Sequence, residues 1–133
     1  MKNKKTRIAI NGFGRIGRIF FRYAFGHPDL EIVAINDIGT VENLAYLLKY
    51  DTVYGRYEKP IEVKDSKLIV DGKEVLVIQQ ENPALLPWEN LNIDIVIEST
   101  GVFESYEKSK THLDAGAKRV VITAPAKDAE SEI

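Results

Sequence analysis

The chain reads as an α/β protein, a doubly wound parallel sheet with a small antiparallel hairpin insertion at about residues 59–80. Three observations carry this. Apolar strand-like runs alternate with segments of helical period, the order that parallel crossover units need. Glycines 12, 14 and 17 fall between the first such strand and the first such helix. Asp71–Gly72 separates two β-rich runs, "LIV" and "KEVLV", which is a hairpin signal.

"TRIAIN" (6–11) is short and apolar with turn residues after it, and reads as a buried strand. From Arg15 the apolar residues fall at Ile16, Ile19, Phe20, Tyr23 and Ala24, one helical face, and Gly26 and Pro28 stop that helix. "LEIVAIND" (30–37) is a second apolar strand. Thr40 is placed to cap a helix whose face is Leu44, Leu47 and Leu48. Residues 59–80 have no helical period; "IEV" and "KLIV" alternate, and the segment reads as the antiparallel insertion. "ENPALLPW" (81–88) is a proline-interrupted connector. "IDIVIEST" (93–100) returns to a buried strand, 104–114 is an amphipathic helix closed by Ala115–Gly116, and "KRVVITAP" (118–125) is one more strand. No repeat, low-complexity tract or interdomain linker is visible, so residues 1–133 are read as one domain.

Composition excludes several classes. Hydrophobic residues make up 44% and charged residues 29%, an ordinary globular balance. Eighteen Lys and Arg stand against twenty Asp and Glu, and a net charge of -2 gives no general attraction to nucleic acid or to an anionic membrane. The basic tip "KNKK" at 2–5 reads as a solvated terminus. No apolar run approaches the roughly 18 residues of a membrane span, and the N-terminus has no signal-peptide pattern. The expected compartment is the cytosol. Without cysteine the chain has no disulfide, thiolate metal site or thiol nucleophile.

A strand, then G-x-G-x-x-G, then a helix is the context that the Rossmann dinucleotide fingerprint requires. Gly12 permits the tight turn, Gly14 lets backbone approach a pyrophosphate, and Gly17 lets helix and strand pack closely. The free N–H groups around Arg15 and Ile16 then point at the anion. The second strand ends at Asp37, twenty residues after Gly17. An acidic residue there accepts hydrogen bonds from the ribose hydroxyls, and its charge repels a 2'-phosphate, which favours NAD over NADP. The plainer reading of Asp37 is a turn or cap residue. A G-x-x-x-x-G-K-[ST] phosphate loop is absent. His27 and His112 lack a metal partner at helical spacing and read as structural or solvated; no metal site is expected. The carboxylates form no evident acid/base pair.

Five blocks in register resemble one family. "INGFGRIGR" (10–18), "IND" (35–37), "LAYLLKYDTVYGRY" (44–57), "ESTGVF" (98–103) and "HLDAGAKRVVITAPAKD" (112–128) resemble phosphorylating glyceraldehyde-3-phosphate dehydrogenase, with a wording closer to bacterial members. The resemblance runs from about residue 6 to 128. It implies NAD as cofactor, with Gly12, Gly14, Arg15 and Ile16 on the pyrophosphate and Asn11 beside them in the cofactor site. It implies Asp37 on the adenosine ribose, with Asn36 shaping the same pocket. Thr100 and Gly101 would flank the adenine and the middle of the cofactor, Phe103 would pack near it, and Thr123 and Ala124 would approach the nicotinamide half. The bland alternatives are a polar strand end with a cap for "ESTG" and a strand terminator for "ITAP".

The chain departs from the family pattern in places. Glu81 stands where the family often has an arginine before the adenine-side loop, Ala126 where it commonly has Ser or Thr, and Thr123 replaces a frequent serine. In the family a nucleophilic cysteine follows the "AP-KD" segment, and a separate domain carries the phosphate sites. That chemistry needs a thiolate, and this chain has none. The reading is therefore the cofactor-binding part of a dehydrogenase, C-terminally incomplete, with no catalytic residue of its own and binding NAD without catalysis. Two alternatives stay open: the sister activity on erythrose 4-phosphate, and a non-catalytic nucleotide-binding or interaction module. The family implies a homotetramer. For this chain alone, the strand at 118–124 is expected at a sheet edge, where self-association follows.

Overall fold

The computed structural model describes residues 4–51, 55–100 and 106–123. Strand β1 (Thr6–Asn11) leads through the glycine turn into helix α1 (Arg15–Ala24), and β2 (Leu30–Asn36) into α2 (Val41–Lys49). A two-residue ribbon, β3 (Tyr50–Asp51) with β4 (Gly55–Arg56), precedes the antiparallel run β5 (Ile61–Lys64), β6 (Lys67–Val70) and β7 (Lys73–Ile78). After a connector with a single 3-10 turn at Pro83–Leu85 come β8 (Ile95–Glu98), α3 (Tyr106–Asp114) and β9 (Arg119–Ile122).

Seven strands form one sheet in the order β5-β6-β7-β2-β1-β8-β9. The run from β7 to β9 is parallel throughout. Numbered among themselves, these five strands lie 3-2-1-4-5, the doubly wound order, with the switch of direction at β1. β1 shows why such strands read as unbroken apolar runs: Ile8 and Ile10 enter the core on one face and Ala9 the core on the other. A register shift between Ile8 and Ala9 leaves Val33 as an extra residue in β2, so that Ala34 faces the same way as Ala9.

Each face has its own apolar layer. Phe13, Phe21, Leu44 and Leu48 cover one side together with Leu68, Val70 and Val75. Leu86, Trp88, Ile93 and Ala117 cover the other. Phe21 is fully buried and meets Phe13 edge-on at 5.7 Å, which ties α1 to the glycine turn. Thr40 caps α2 by accepting the Asn43 amide at 3.1 Å, with Glu42 in the first turn and Lys49 in the last, both signs suiting the helix dipole. Past α3, the Ala117 amide donates back to His112 at 3.1 Å and the Gly116 amide to Leu113 at 3.0 Å, closing the helix as its sequence suggests.

The expected insertion is larger than a hairpin and is not separate from the sheet. β5, β6 and β7 form a three-stranded meander, and β7 doubles as the third parallel strand by pairing Leu76–Ile78 with Ala34–Asn36. Both turns are two residues long. Asp65–Ser66 and Asp71–Gly72 all lie at positive φ, between 50° and 80°, the backbone that matches strand twist in tight hairpins. β8 is shorter than the apolar run 93–100, because Ile93 closes a turn on Trp88 and Ser99 and Thr100 bend toward the glycine turn. Among the described residues β9 is the last strand of the sheet, the edge position expected for that segment, with Val121 exposed.

Candidate functional site

The carboxyl ends of β1, β2, β7 and β8 open into a crevice of about 560 Å3 lined by Asn11, Gly12, Gly14, Asn36, Asp37, Ile38, Gln80, Glu81, Pro83, Ser99 and Thr100. It sits where the strand order reverses, the place at which open α/β sheets receive ligands. Asn11, Gly12, Gly14, Asn36, Asp37 and Thr100 were expected there from sequence and are brought together. Arg15 and Ile16 occupy the exposed first turn of α1 and do not line the crevice. Thr123 follows β9, where its amide and hydroxyl both donate to the Glu98 carbonyl at 3.1 Å; it is outside the lining too. Gly101, Phe103 and Ala124 lie outside the described residues.

The three glycines do three different things. Gly12 has φ +94°, and a Cβ there would stand 2.7 Å from the Thr100 backbone nitrogen. A Cβ on Gly17 would strike the Gly12 carbonyl and come within 3.0 Å of Ser99 Oγ, so helix and strand touch through bare backbone. Gly14 is the opposite case. Its φ is an ordinary −77°, and a Cβ would meet nothing within 4 Å. Among the described residues no contact calls for glycine at 14. It begins α1 without a side-chain cap and with no acidic residue in the first turn. An uncapped helix start of this kind leaves N–H groups without a side-chain acceptor, the kind of group that can receive an anion.

Asp37 binds the turn itself. Its Oδ2 accepts the Phe13 amide at 2.7 Å and its Oδ1 the Gly39 amide at 2.9 Å. Both the turn role and the crevice position foreseen for Asp37 are thus met by one side chain. With Glu81 it makes the upper crevice acidic, and among the described residues no cationic side chain lines it. Ile38, 76% exposed, and Pro83 add an apolar lip.

Beneath the crevice, Asn36, Asn11 and Glu98 stand side by side in register across β2, β1 and β8. Asn36 Nδ2 donates to Asn11 Oδ1 at 2.7 Å, and Asn11 Nδ2 to Glu98 Oε1 at 2.7 Å. Asn36 also pairs with Gln80 through both its amide atoms, at 2.9 and 3.0 Å. His112 Nε2 lies 2.7 Å from Glu98 Oε1, and Trp88 Nε1 donates to His112 Nδ1 at 3.1 Å. Burial pushes the Glu98 carboxyl up, but hydrogen bonds from His112, Thr100 and Asn11 prevail and hold it below the ordinary carboxylate value. The residues that sequence reasoning did not assign to the crevice are Ile38, Gln80, Pro83 and Ser99. Gln80 had a usable signal, since it follows a strand that ends at the crevice.

Known proteins resemble this chain over most of its length. The family model described as glyceraldehyde 3-phosphate dehydrogenase, NAD binding domain, matches residues 6–106. Glyceraldehyde-3-phosphate dehydrogenase of Thermotoga maritima is 54% identical over 124 residues, covering 92% of this chain and 37% of that protein. That of Mycoplasma pneumoniae is 54% identical over 126 residues, covering 95% and 37%. The cytosolic enzyme of Trypanosoma brucei brucei is 50% identical over 122 residues, covering 92% and 37%. The chain thus spans little more than a third of the length of these relatives.

Proposed function

The chain belongs to the glyceraldehyde-3-phosphate dehydrogenase family, an NAD-dependent oxidoreductase family, as its NAD-binding domain, and we propose that its crevice binds NAD through the residues assembled there. The observation that carries this reading is Gly14. It has an unstrained backbone and, among the described residues, no neighbour within 4 Å of a would-be Cβ, so the space beside it is open to a ligand that approaches the backbone. A pyrophosphate laid against Gly12 and Gly14 meets the uncapped N–H groups of Arg15 and Ile16. Asp37, whose oxygens keep lone pairs beyond the two turn bonds, takes the adenosine ribose. Asn36 and Asn11 shape the floor and Thr100 the wall. On this reading Gly101 joins Thr100 beside the adenine and the middle of the cofactor, Phe103 packs near it, and Thr123 and Ala124 belong to the nicotinamide side.

The whole protein, on this reading, oxidises glyceraldehyde 3-phosphate with NAD and phosphate in the cytosol as a homotetramer. The 133-residue chain, lacking a thiol, binds NAD without turning substrate over. By itself it associates through the β9 edge. Within the chain the acidic pair Asp37 and Glu81 favours NAD over NADP, because a 2'-phosphate would meet two carboxylates and, among the described residues, no cation. Calorimetric titration tests this. NAD should bind saturably, NADP more weakly, and Asp37→Ala should lower NAD affinity. A folded chain that binds neither dinucleotide would reject the reading. Phosphate-dependent NADH formation by this chain alone would reject its non-catalytic part.

A further inference from the structure

Among the described residues, the polar side chains that are buried are Asn11, Asn36, Glu98 and His112, and all four belong to one hydrogen-bonded row. A buried carboxylate is costly unless it is fully bonded. Glu98, 2% exposed, is: Oε1 receives Asn11 Nδ2 and His112 Nε2, both at 2.7 Å, and Oε2 receives the Thr100 amide at 2.9 Å and the Thr100 hydroxyl at 2.6 Å. The protons can be placed. The Trp88 indole is a donor only, so His112 Nδ1 accepts. The ring proton then sits on Nε2 and goes to Glu98. With donors at both of its oxygens, Glu98 is a carboxylate opposite a neutral histidine.

This row grips the glycine turn from below. Asn11 precedes Gly12, and Thr100 is the residue against which Gly12 packs so closely that no Cβ fits. Glu98 holds both. Ser99 between them donates its hydroxyl to the Gly12 carbonyl at 2.6 Å. We infer that Glu98 and His112 are positioning residues for the nucleotide turn. The carboxylate fixes Asn11 and Thr100 on either side of Gly12, and His112, locked as its Nε2–H tautomer by Trp88, fixes the carboxylate. Neither side chain touches the dinucleotide. The inference rests on the nucleotide reading of the crevice for its effect on binding, while its effect on the turn can be read without any ligand.

The test compares Glu98→Gln with Val70→Ala, a truncation in β6 outside the polar row. Gln keeps the shape of Glu but turns an NH2 toward donors. Trp88→Phe is the second variant; it leaves the carboxylate and removes the indole N–H that sets the tautomer, together with some core volume, a loss for which Val70→Ala is the control. Two quantities are measured under conditions where all forms are folded: NAD affinity by calorimetry, and amide hydrogen exchange at Phe13, Gly14 and Thr100. Glu98→Gln should raise the Kd for NAD about tenfold and speed exchange at these amides. Trp88→Phe should do the same to a smaller degree, and Val70→Ala should lower the melting temperature with neither effect. Exchange at the turn that is unchanged in both Glu98→Gln and Trp88→Phe, or no faster than in Val70→Ala, would overturn the inference. If the unaltered chain fails to bind NAD, the nucleotide reading falls and the exchange result alone decides this one. Should Glu98→Gln not fold, Trp88→Phe decides it against the same control.

Discussion

Asp37, at the end of the second strand, holds the backbone amide of Phe13 inside the glycine turn at 2.7 Å. The acidic residue and the turn are therefore one unit before any ligand arrives. Asp37→Ala should cost stability as well as NAD affinity, because the Phe13 and Gly39 amides both lose a charged acceptor, a bond worth roughly 1.5–3 kcal/mol. Asp37→Asn offers one good acceptor for these two amides and removes the charge. It should fall between wild type and Asp37→Ala in melting temperature and narrow the preference for NAD over NADP. Parallel melts and titrations check both. Equal melting temperatures for all three forms would show that the turn does not depend on this side chain.

The three fingerprint glycines should separate by experiment. Gly17→Ala drives a methyl into the Gly12 carbonyl, and overpacking of this kind costs about 1–3 kcal/mol. Gly12→Ala adds a left-handed backbone to a similar collision with Thr100, and should be at least as damaging. Gly14→Ala has an ordinary φ and open space. Its melting temperature should stay within the shift expected of about 1 kcal/mol, since the loss at a helix N-cap and the gain in chain stiffness nearly cancel. NAD affinity should nonetheless fall sharply. Denaturant melts beside calorimetry would show the split, and a Gly14→Ala chain that binds NAD normally would contradict it.

These contrasts explain what a sequence can disclose here. Gly12, Gly14 and Gly17 are legible because their constraints are local, a turn followed by a helix start within six residues. β1 and β2 follow from period alone, and so does the existence of α1, but not its buried face: Ile16 and Tyr23 are exposed, and Gly17, Phe21 and Ala24 turn inward. The role of β7 does not, because "KEVLVI" after Asp71–Gly72 looks the same whether its outer side is solvent or another strand. Its pairing with β2 is a contact across some 42 residues. The row beneath the crevice was hidden for the same reason. Asn11 meets Glu98 across 87 residues, and each alone is an unremarkable polar residue at a strand end. One clue was present: Glu98 interrupts the apolar run "IDIVIEST", and a carboxylate in a buried strand needs partners. Sequence alone leaves His112 structural or solvated; the structure makes it structural, wholly buried between Trp88 and Glu98.

Acid should unfold the chain partly through Glu98. Its folded-state pKa lies below the ordinary 4.5, so the stabilisation is fully present above that value and is lost as pH falls through the folded one. Asp94 is also lowered, first by the Arg7 amide and then by Lys118. It lies near the surface, where salt screens such charges, so its share should shrink at high ionic strength while that of Glu98 persists. Urea melts between about pH 3 and 6, at low and high salt, check this with Asp94→Asn beside Glu98→Gln. A Glu98→Gln chain with the acid sensitivity of wild type would remove Glu98 from the account.

The alkaline limit should come from Tyr57. Its ring is buried between Phe21, edge-on at 6.4 Å, and the Arg22 guanidinium at 5.2 Å, while its hydroxyl finds no hydrogen-bond partner among the described residues. Burial pushes its pKa from 10.0 to about 12, Arg22 opposing and Asp71 assisting. The folded state thus keeps a proton that the unfolded chain gives up. The stability this represents is complete below pH 10 and is lost as pH rises toward about 12. A buried hydroxyl without a partner carries an uncompensated desolvation cost, so Tyr57→Phe should be neutral or stabilising by up to about 1 kcal/mol near neutrality. It should also remove part of the alkaline loss. Thermal melts from about pH 7 to 11 on both forms decide it. Destabilisation of Tyr57→Phe by more than about 1 kcal/mol would mean that the hydroxyl is bonded after all.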